Sequence, residues 1–391
     1  MSFAVDNLST DKCILLNKKI LKIAGLYPIS LIKYAIFLFC SLLLVIPEVV
    51  RICKYPHDLE VILETSSVLL TMILTIFKFT LWIFQRKTQN LIGFLFNSYW
   101  DVIVSLKEVQ CIYDHALIAK KLTLSYTCFI MNAVIVFYFI PIRHIFLNKL
   151  SELTMNNNHH YNISIHFPFA ASYPQFCYES PYFQFVYFSQ IISTSICALI
   201  TLGVDTIIAT AIFYACGHFS CLQKKLEKLN FRFNVNTKLI NYIKHHKIAL
   251  RFSEQIEETF NSIILLQVLA SSLIICLVGF QVNSRMSQSD KLMEYLSYLL
   301  MALFQLILFC WPGDKLIKYS SIISNAIYST NWYESKEPVK IEIITLIHRA
   351  QKPCFLTAGK FQQMSLESFN TILSTSLSYF MLLKHFDSDE T

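Results

Sequence analysis

Seven stretches of mostly apolar residues constrain this chain more than any other feature: 31–50, 61–84, 123–146, 185–215, 260–282, 292–312 and 365–386. Each is long enough to cross the roughly 30 Å of hydrocarbon in a bilayer, which takes about 20 residues of helix. A backbone in hydrocarbon must satisfy its own N–H and C=O groups, so spans of this kind are helices. The expected fold is therefore all-α, a seven-transmembrane helix bundle forming a single membrane domain over residues 1–391. Composition agrees, with 54% apolar and 15% charged residues, whereas soluble domains carry about 25% charged.

The connections predict orientation, because Lys and Arg accumulate on the cytoplasmic side of a membrane. Residues 1–30 carry Lys12, Lys18, Lys19 and Lys22, and the fourth connection alone holds Lys224, Lys225, Lys228, Arg232, Lys238, Lys244, Lys247 and Arg251. The second and sixth connections are also basic. Across the membrane stand little more than Arg51, Lys54, Lys149, Arg285 and Lys291. This alternation places the N-terminus inside and the C-terminus outside, the reverse of a G-protein-coupled receptor. It also accounts for the net charge of +7 without nucleic acid, since no basic stripe is interleaved with stacking aromatics. Residues 1–30 show no apolar core ahead of a small-residue cleavage site, so the first span is expected to direct insertion. The sequon Asn162-Ile163-Ser164 lies in the third connection, on the outside, and is a candidate glycosylation site; Asn7-Leu8-Ser9 lies inside.

The inner connections are too long for bare loops. Residues 85–122 and 217–258 read as helix, with Leu222, Leu226 and Leu229 on one face and Lys224, Lys225 and Lys228 on another. They are expected to extend the spans into the cytoplasm and pack there. Segment 147–184, rich in Asn, His, Tyr and Pro, reads as an extracellular lid. In the cytoplasmic segment 313–360, Val339, Ile343, Leu346 and Ala350 share a helical face, and Pro353 with Gly359 then breaks the path before the last span.

That last span carries Ser368, Thr371, Thr375 and Ser378 at steps of three, four and three, a stripe that continues to Leu382 and His385. A polar face in a membrane needs water or a partner. Either it lines a wet lumen, which one helix cannot enclose and which therefore requires several copies, or its small hydroxyls promote close helix packing.

The motifs around this span resemble those of the insect odorant receptors. The stretch Lys352-Pro353, Leu356-Thr357-Ala358-Gly359-Lys360-Phe361, Ser365-Leu366-Glu367-Ser368-Phe369, Ile372-Leu373 and Ser378-Tyr379-Phe380 follows that family's C-terminal pattern. Cys310, Gly313, Leu316, Ser320, Ala326-Ile327-Tyr328 and Trp332-Tyr333 match a second. Gly25-Leu26-Tyr27-Pro28 resembles its N-terminal motif, with Tyr where Trp is usual, and Phe167-Pro168-Phe169 and Tyr173-Pro174 resemble its extracellular loop.

The resemblance implies an odorant receptor subunit of a ligand-gated, non-selective cation channel in the plasma membrane of a sensory dendrite. A heterotetramer with an odorant coreceptor subunit is implied, held by a cytoplasmic anchor and opened by a small apolar odorant. The implied pore and gate residues are Ser378, Leu382, which follows Tyr379-Phe380-Met381, and His385. His385 stands where the coreceptor pattern has Gln, beside Lys384. Four such cationic groups would disfavour cations, so most pore-lining copies are expected to come from the coreceptor. The implied ligand cavity lies among the outer halves of the second, third, fourth and sixth spans. Matched by depth, its candidates are Met72, Ile73, Asn132, Val136, Tyr187, Ile191, Thr194, Tyr298 and Ala302.

Lys78 and Asp205 are ionisable residues inside apolar runs, read either as a structural pair or as solvated ends, with Lys78 snorkelling. His159-His160 and His245-His246 read as flexible loop residues and not as metal ligands. Cys53 and Cys177 are the only cysteines in outside connections, hence the only candidate disulfide. No catalytic triad, paired carboxylates or phosphate loop stands out, so no enzyme, metal or cofactor is expected, and membrane lipid is the remaining partner. The rival readings are a gustatory receptor-type channel, which the missing Thr-Tyr-x-x-x-x-x-Gln-Phe ending disfavours, and then a G-protein-coupled receptor or a transporter.

Overall fold

The computed structural model describes residues 11–97, 99, 109–154, 167–229, 235–286, 288–335 and 339–390. Among them lie ten α-helices: α1 (Asp11–Ala24), α2 (Leu31–Lys54), α3 (Leu59–Phe84), α4 (Arg86–Asn97), α5 (Val109–Thr154), α6 (Tyr182–Glu227), α7 (Val235–Ser284), α8 (Ser289–Tyr328), α9 (Lys340–Ala350) and α10 (Leu366–Glu390). Strands β1 (Thr357–Ala358) and β2 (Gln362–Gln363) pair as an antiparallel hairpin. The sequons at Asn7 and Asn162 and the pair His159-His160 lie outside the described residues.

The seven expected spans fall in α2, α3, α5, α6, α7, α8 and α10. Among the described residues, six helices are long and apolar enough to cross a membrane. Helix α10 is not among them; at 25 residues it is about 37 Å long, but its hydroxyl-bearing face dilutes its apolar character. Helices α5 and α6 run for 46 residues each, α7 for 50 and α8 for 40. At ~1.5 Å per residue all four exceed a bilayer's hydrocarbon core. The expected helical extensions at 109–122, 217–227 and 235–258 are therefore continuous with the spans, whereas α4 is a helix of its own.

Local chemistry sets the helix ends. Ser30 caps α2, its hydroxyl accepting the Lys33 N–H at 3.4 Å, and the Asp58 carboxylate caps α3 by accepting from Val61 at 3.1 Å, in each case satisfying a donor the helix leaves open. At one end of the bundle, residues 167–181 cover the helices; we call this the lid end. There Glu64 of α3 accepts from Arg51 of α2 at 3.0 Å, from Lys291 at 3.1 Å and from the Tyr295 hydroxyl of α8 at 3.1 Å.

The opposite end carries the C-terminal motif. Val339, Ile343, Leu346 and Ala350 form one buried face where α9 packs on α8. The chain then turns through the hairpin onto α7. The Glu257 carboxylate accepts from the Thr357 N–H at 2.8 Å and from its hydroxyl, and the Gly359 N–H donates to the Asn261 carbonyl at 3.1 Å. Gly359 has φ +59, and a Cβ there would lie 2.6 Å from Leu265, so any other residue meets both strain and a clash. Ser320 accepts from the Cys354 N–H at 2.9 Å. The residues of this motif hold the start of α10 in place.

Two expectations are corrected. His245 and His246 are not loop residues: both are buried in α7, His245 against His218 (3.2 Å between ring nitrogens) and His246 against Phe219. Successive residues of one helix point apart, which is why each meets a different ring of α6. Cys53 and Cys177 are both free, one exposed and the other buried, so they form no disulfide.

Candidate functional site

Toward the lid end, α3, α5, α6 and α8 diverge around a cavity of about 110 Å3. Helix α5 faces it with Tyr126, Ile130, Ala133, Val134, Phe137 and Tyr138, and α6 with Thr194, Cys197, Ala198 and Thr201. These steps of three and four put each set on one helical face. Met72, Tyr298, Met301 and Phe169 of the lid complete most of the wall.

The wall offers almost nothing polar because its hydroxyls are engaged elsewhere. Tyr298 donates to the Ser67 carbonyl at 3.0 Å and shares a short hydrogen bond with Thr71. Tyr138 meets Thr194 at 2.6 Å and the Ile191 carbonyl at 3.0 Å, and Thr201 meets Thr75 at 3.0 Å. An occupant is thus held by shape and dispersion against carbon, as small apolar molecules usually are.

One side chain of α6 makes three hydrogen bonds to the lid. Gln190, fully buried on α6, accepts the Phe169 N–H at 3.1 Å and donates to the Phe169 carbonyl at 3.2 Å and to the Tyr173 hydroxyl at 3.1 Å. The Phe169 ring stacks on Phe137, centroids 5.5 Å apart. Burial pushes the Tyr173 hydroxyl up to about 12, so it stays a neutral phenol. On α2, Glu48 is 1% exposed with both carboxylate oxygens unpartnered.

Of the nine candidates matched by depth, Met72, Thr194 and Tyr298 line this cavity. Asn132 is exposed, and Ile73, Val136 and Ile191 are half-buried outside its wall. Tyr187 is buried and donates to the Tyr138 carbonyl at 3.3 Å, so it props the wall from behind. Ala302 is buried beside the lining residue Met301. Matching by depth fixes the turn of a helix but not its rotation, and Asn132 and Val136 miss by about one position. The run from Tyr126 to Tyr138, aromatic or small at steps of three and four, was the available signal for the face. Gln190 and Phe169 carried none, because their partnership depends on how the lid folds.

Lys78 neither snorkels nor reaches solvent. It pairs with Asp205 at 2.6 Å, and neither side chain is exposed. The pair lies directly beneath the cavity, since Thr201 in its wall is one helical turn from Asp205.

Helix α10 has two faces. Ile372 and Ser376 are buried, the Ser376 hydroxyl donating to the Ser272 carbonyl of α7 at 3.1 Å. Thr371, Thr375, Ser378, Leu382 and His385 are exposed. The first three hydroxyls donate to carbonyls four residues back, at 2.9 to 3.0 Å. Ser368 departs from the expected stripe: it is buried, with its hydroxyl donating to the Gln363 carbonyl where α10 begins. No cluster of metal ligands occurs among the described residues.

The fold is that of a solved insect receptor. The structure of the olfactory receptor OR5 from Machilis hrabei in complex with eugenol superposes with a TM-score of 0.80, covering 97% of this chain and 100% of that one at 16% identity. Among curated proteins, the chain is 33% identical to Odorant receptor 13a of Drosophila melanogaster over 219 residues, 50% of this chain and 52% of that protein. It is 30% identical to the Odorant receptor coreceptor of Aedes aegypti over 167 residues, 43% of this chain and 34% of that one. The chain spans about half the length of the first curated relatives it matches. The family described as 7tm Odorant receptor matches residues 58–377. On that match, which covers most of its length, five of its seven expected spans whole and part of the last, this multi-pass membrane protein belongs to the 7tm odorant receptor family.

Proposed function

We propose that the protein is an odorant-binding subunit of a ligand-gated, non-selective cation channel, working with a coreceptor subunit in the plasma membrane of a sensory dendrite. The cavity beneath the lid carries this reading. Its volume of about 110 Å3 is on the scale of an engineered cavity of roughly 150 Å3 that admits benzene. It suits one small aromatic or branched apolar molecule, and a larger ligand would have to turn Met72, Met301 or Phe137 aside. The eugenol bound to OR5 of Machilis hrabei, a small aromatic, is of this class.

In this reading the lid end lies outside, with the N-terminus in the cytoplasm and Asn162 a candidate for glycosylation, an orientation that the basic connections support. The exposed face of α10, with Ser378, Leu382 and His385, meets other subunits around a pore, and Leu382 closes it. An apolar ring of that kind can stop conduction by excluding water. With Lys384 and His385 at the outer mouth, a pore built mostly from coreceptor copies conducts cations better than four copies of this chain would.

Currents recorded from cells expressing this chain with and without a coreceptor, against a panel of small volatiles, test the reading. Odorant-evoked cation currents that require both chains are expected. Silence to every ligand despite surface expression would overturn it.

A further inference from the structure

Below the cavity floor, five helices each contribute polar side chains to one continuous buried layer. Lys78 of α3 pairs with Asp205 of α6, and its ammonium also lies 5.9 Å from the centre of the Phe309 ring of α8. The second Asp205 oxygen accepts from the Tyr126 hydroxyl of α5 at 3.2 Å and from the Gln305 amide of α8 at 2.6 Å. That amide also donates to Gln267 of α7 at 3.3 Å, and Gln267 donates to Ser271, one turn along, at 2.7 Å. The next residue, Ser272, offers the carbonyl that receives Ser376 of α10. Of the six side chains from Lys78 to Ser271, none is more than 6% exposed.

Two features separate this layer from an ordinary structural pair. Tyr126 belongs to both systems: its ring lines the cavity while its hydroxyl ends on Asp205. Neutralising the Lys78 charge would need Asp205 alone, yet the network continues through two glutamines toward α10. Each group is hydrogen-bonded to at least one other member of the layer. In a dry interior, a displaced member either carries its neighbour with it or leaves a polar group unpaired, at a cost that favours moving together.

We propose that this layer transmits occupancy of the cavity to the last helix. Tyr126 senses the occupant, Asp205, Gln305 and Gln267 are positioning residues, and the step from Ser271 to Ser376 delivers the shift through the α7 backbone. This rests on the channel reading above and names how that cavity is read out.

Three substitutions sever the layer without stranding its charges. Tyr126→Phe keeps the ring and removes the hydroxyl, Gln267→Met keeps the side-chain length, and Ser271→Ala removes a single oxygen. Each is co-expressed with the coreceptor, surface density is measured by labelling intact cells, and concentration–response curves are recorded for several odorants. Coupling between two sites is typically worth about 5- to 150-fold in an equilibrium constant. A rise of about 5-fold or more in half-maximal concentration is expected, by a common factor for every odorant, with lower maximal current and unchanged surface density. Met72→Ala, in the wall, should instead change the rank order of odorants. The double variant Tyr126→Phe with Gln267→Met should match the more impaired single variant.

Curves that superimpose on the unmodified channel would overturn the proposal, as would rank-order changes in the three layer variants or additive losses in the double. Should Tyr126→Phe or Gln267→Met fail to reach the surface, Ser271→Ala alone decides. A parent channel deaf to all odorants would instead overturn the channel reading itself.

Discussion

Helix α6 behaves as two different helices in one rod. Over residues 200–222 every side chain is buried, whatever face it lies on. Over residues 182–199 only Tyr187, Gln190, Ser193 and Cys197 are buried, at steps of three and four. The inner stretch is therefore the axis of the bundle, enclosed on all sides, and the outer stretch is one wall of a cavity. Residue size explains part of the change. Ala209, Ala211, Ala215 and Gly217 let neighbouring helices approach; a Cβ on Gly217 would already sit 3.3 Å from the Ile112 backbone. Farther out the residues are larger: Phe183 packs on Phe167 of the lid and Tyr187 reaches the Tyr138 carbonyl of α5, while Phe185 and Phe188 face outward. A tightly packed half shifts as a unit, since close-packed interiors yield little, whereas the open half can adapt to an occupant.

The largest test of the inner half is Lys78→Met, which leaves the Asp205 carboxylate buried with only neutral donors. Breaking one side of a buried pair costs about 3–5 kcal/mol, a large share of the roughly 5–15 kcal/mol that holds a typical domain. A sharp fall in monodisperse protein after detergent extraction is expected. Adding Asp205→Asn should recover most of it, because the unpaired charge is gone. Normal yield from the single variant would show that the inner half is less closed than its burial implies.

A matched pair of substitutions puts the two halves side by side on one helix. Ala211→Leu overfills the enclosed stretch and should destabilise by about 1–3 kcal/mol, read as a lower melting temperature. Ala198→Leu adds the same atoms but projects them into the cavity. It should leave the melting temperature nearly unchanged and abolish responses to the larger odorants while sparing the smallest. Equal destabilisation at both positions would erase the distinction.

A finer probe of the outer half is Tyr298→Phe. It removes the hydroxyl shared with Thr71 and Ser67, at a cost of about 1 kcal/mol, and frees acceptor capacity on Thr71, which lines the cavity and whose own hydroxyl still donates to the Ser67 carbonyl. Odorants that can donate a hydrogen bond should gain potency relative to hydrocarbons. An unchanged potency order would mean that the Thr71 and Ser67 oxygens do not reach the occupant.

The contrast between halves also explains what could be read from the amino acids. The all-helical architecture with its long apolar helices, the face Val339, Ile343, Leu346 and Ala350, and the break before α10 were visible, because each depends on local periodicity or on Pro and Gly. The α9 face reads identically in sequence and structure. What depends on helix rotation was not visible. Asn132 lies at the right depth but points outward, whereas Ala133 and Phe137 line the wall. Partnerships between distant residues were equally hidden: nothing local assigns Gln190 to Phe169, or Gln305 to Asp205. Lys78 could be flagged as anomalous, but only packing shows that it is sealed against Asp205. Ser368 matched the periodicity of the polar stripe and was nonetheless claimed by the turn that starts α10.

The smallest effect on the fold, and the sharpest test of where the packed interior ends, falls on α10. Leu382 is 55% exposed, on the same exposed stripe as Thr371, Thr375 and Ser378. Replacing it with Ser removes little packing within the chain, so stability should change by no more than about 0.5 kcal/mol, as for most surface sites. If that face meets water-filled space in an assembled channel, the same change wets an apolar constriction, and resting current should rise when Leu382→Ser is co-expressed with the coreceptor at unchanged surface density. Ile372→Ser, on the buried face, should do the opposite, lowering folded yield without opening a leak. An unaltered resting current from Leu382→Ser would place the constriction on another residue of α10 or on the partner subunit, and would leave the exposed stripe as a packing surface.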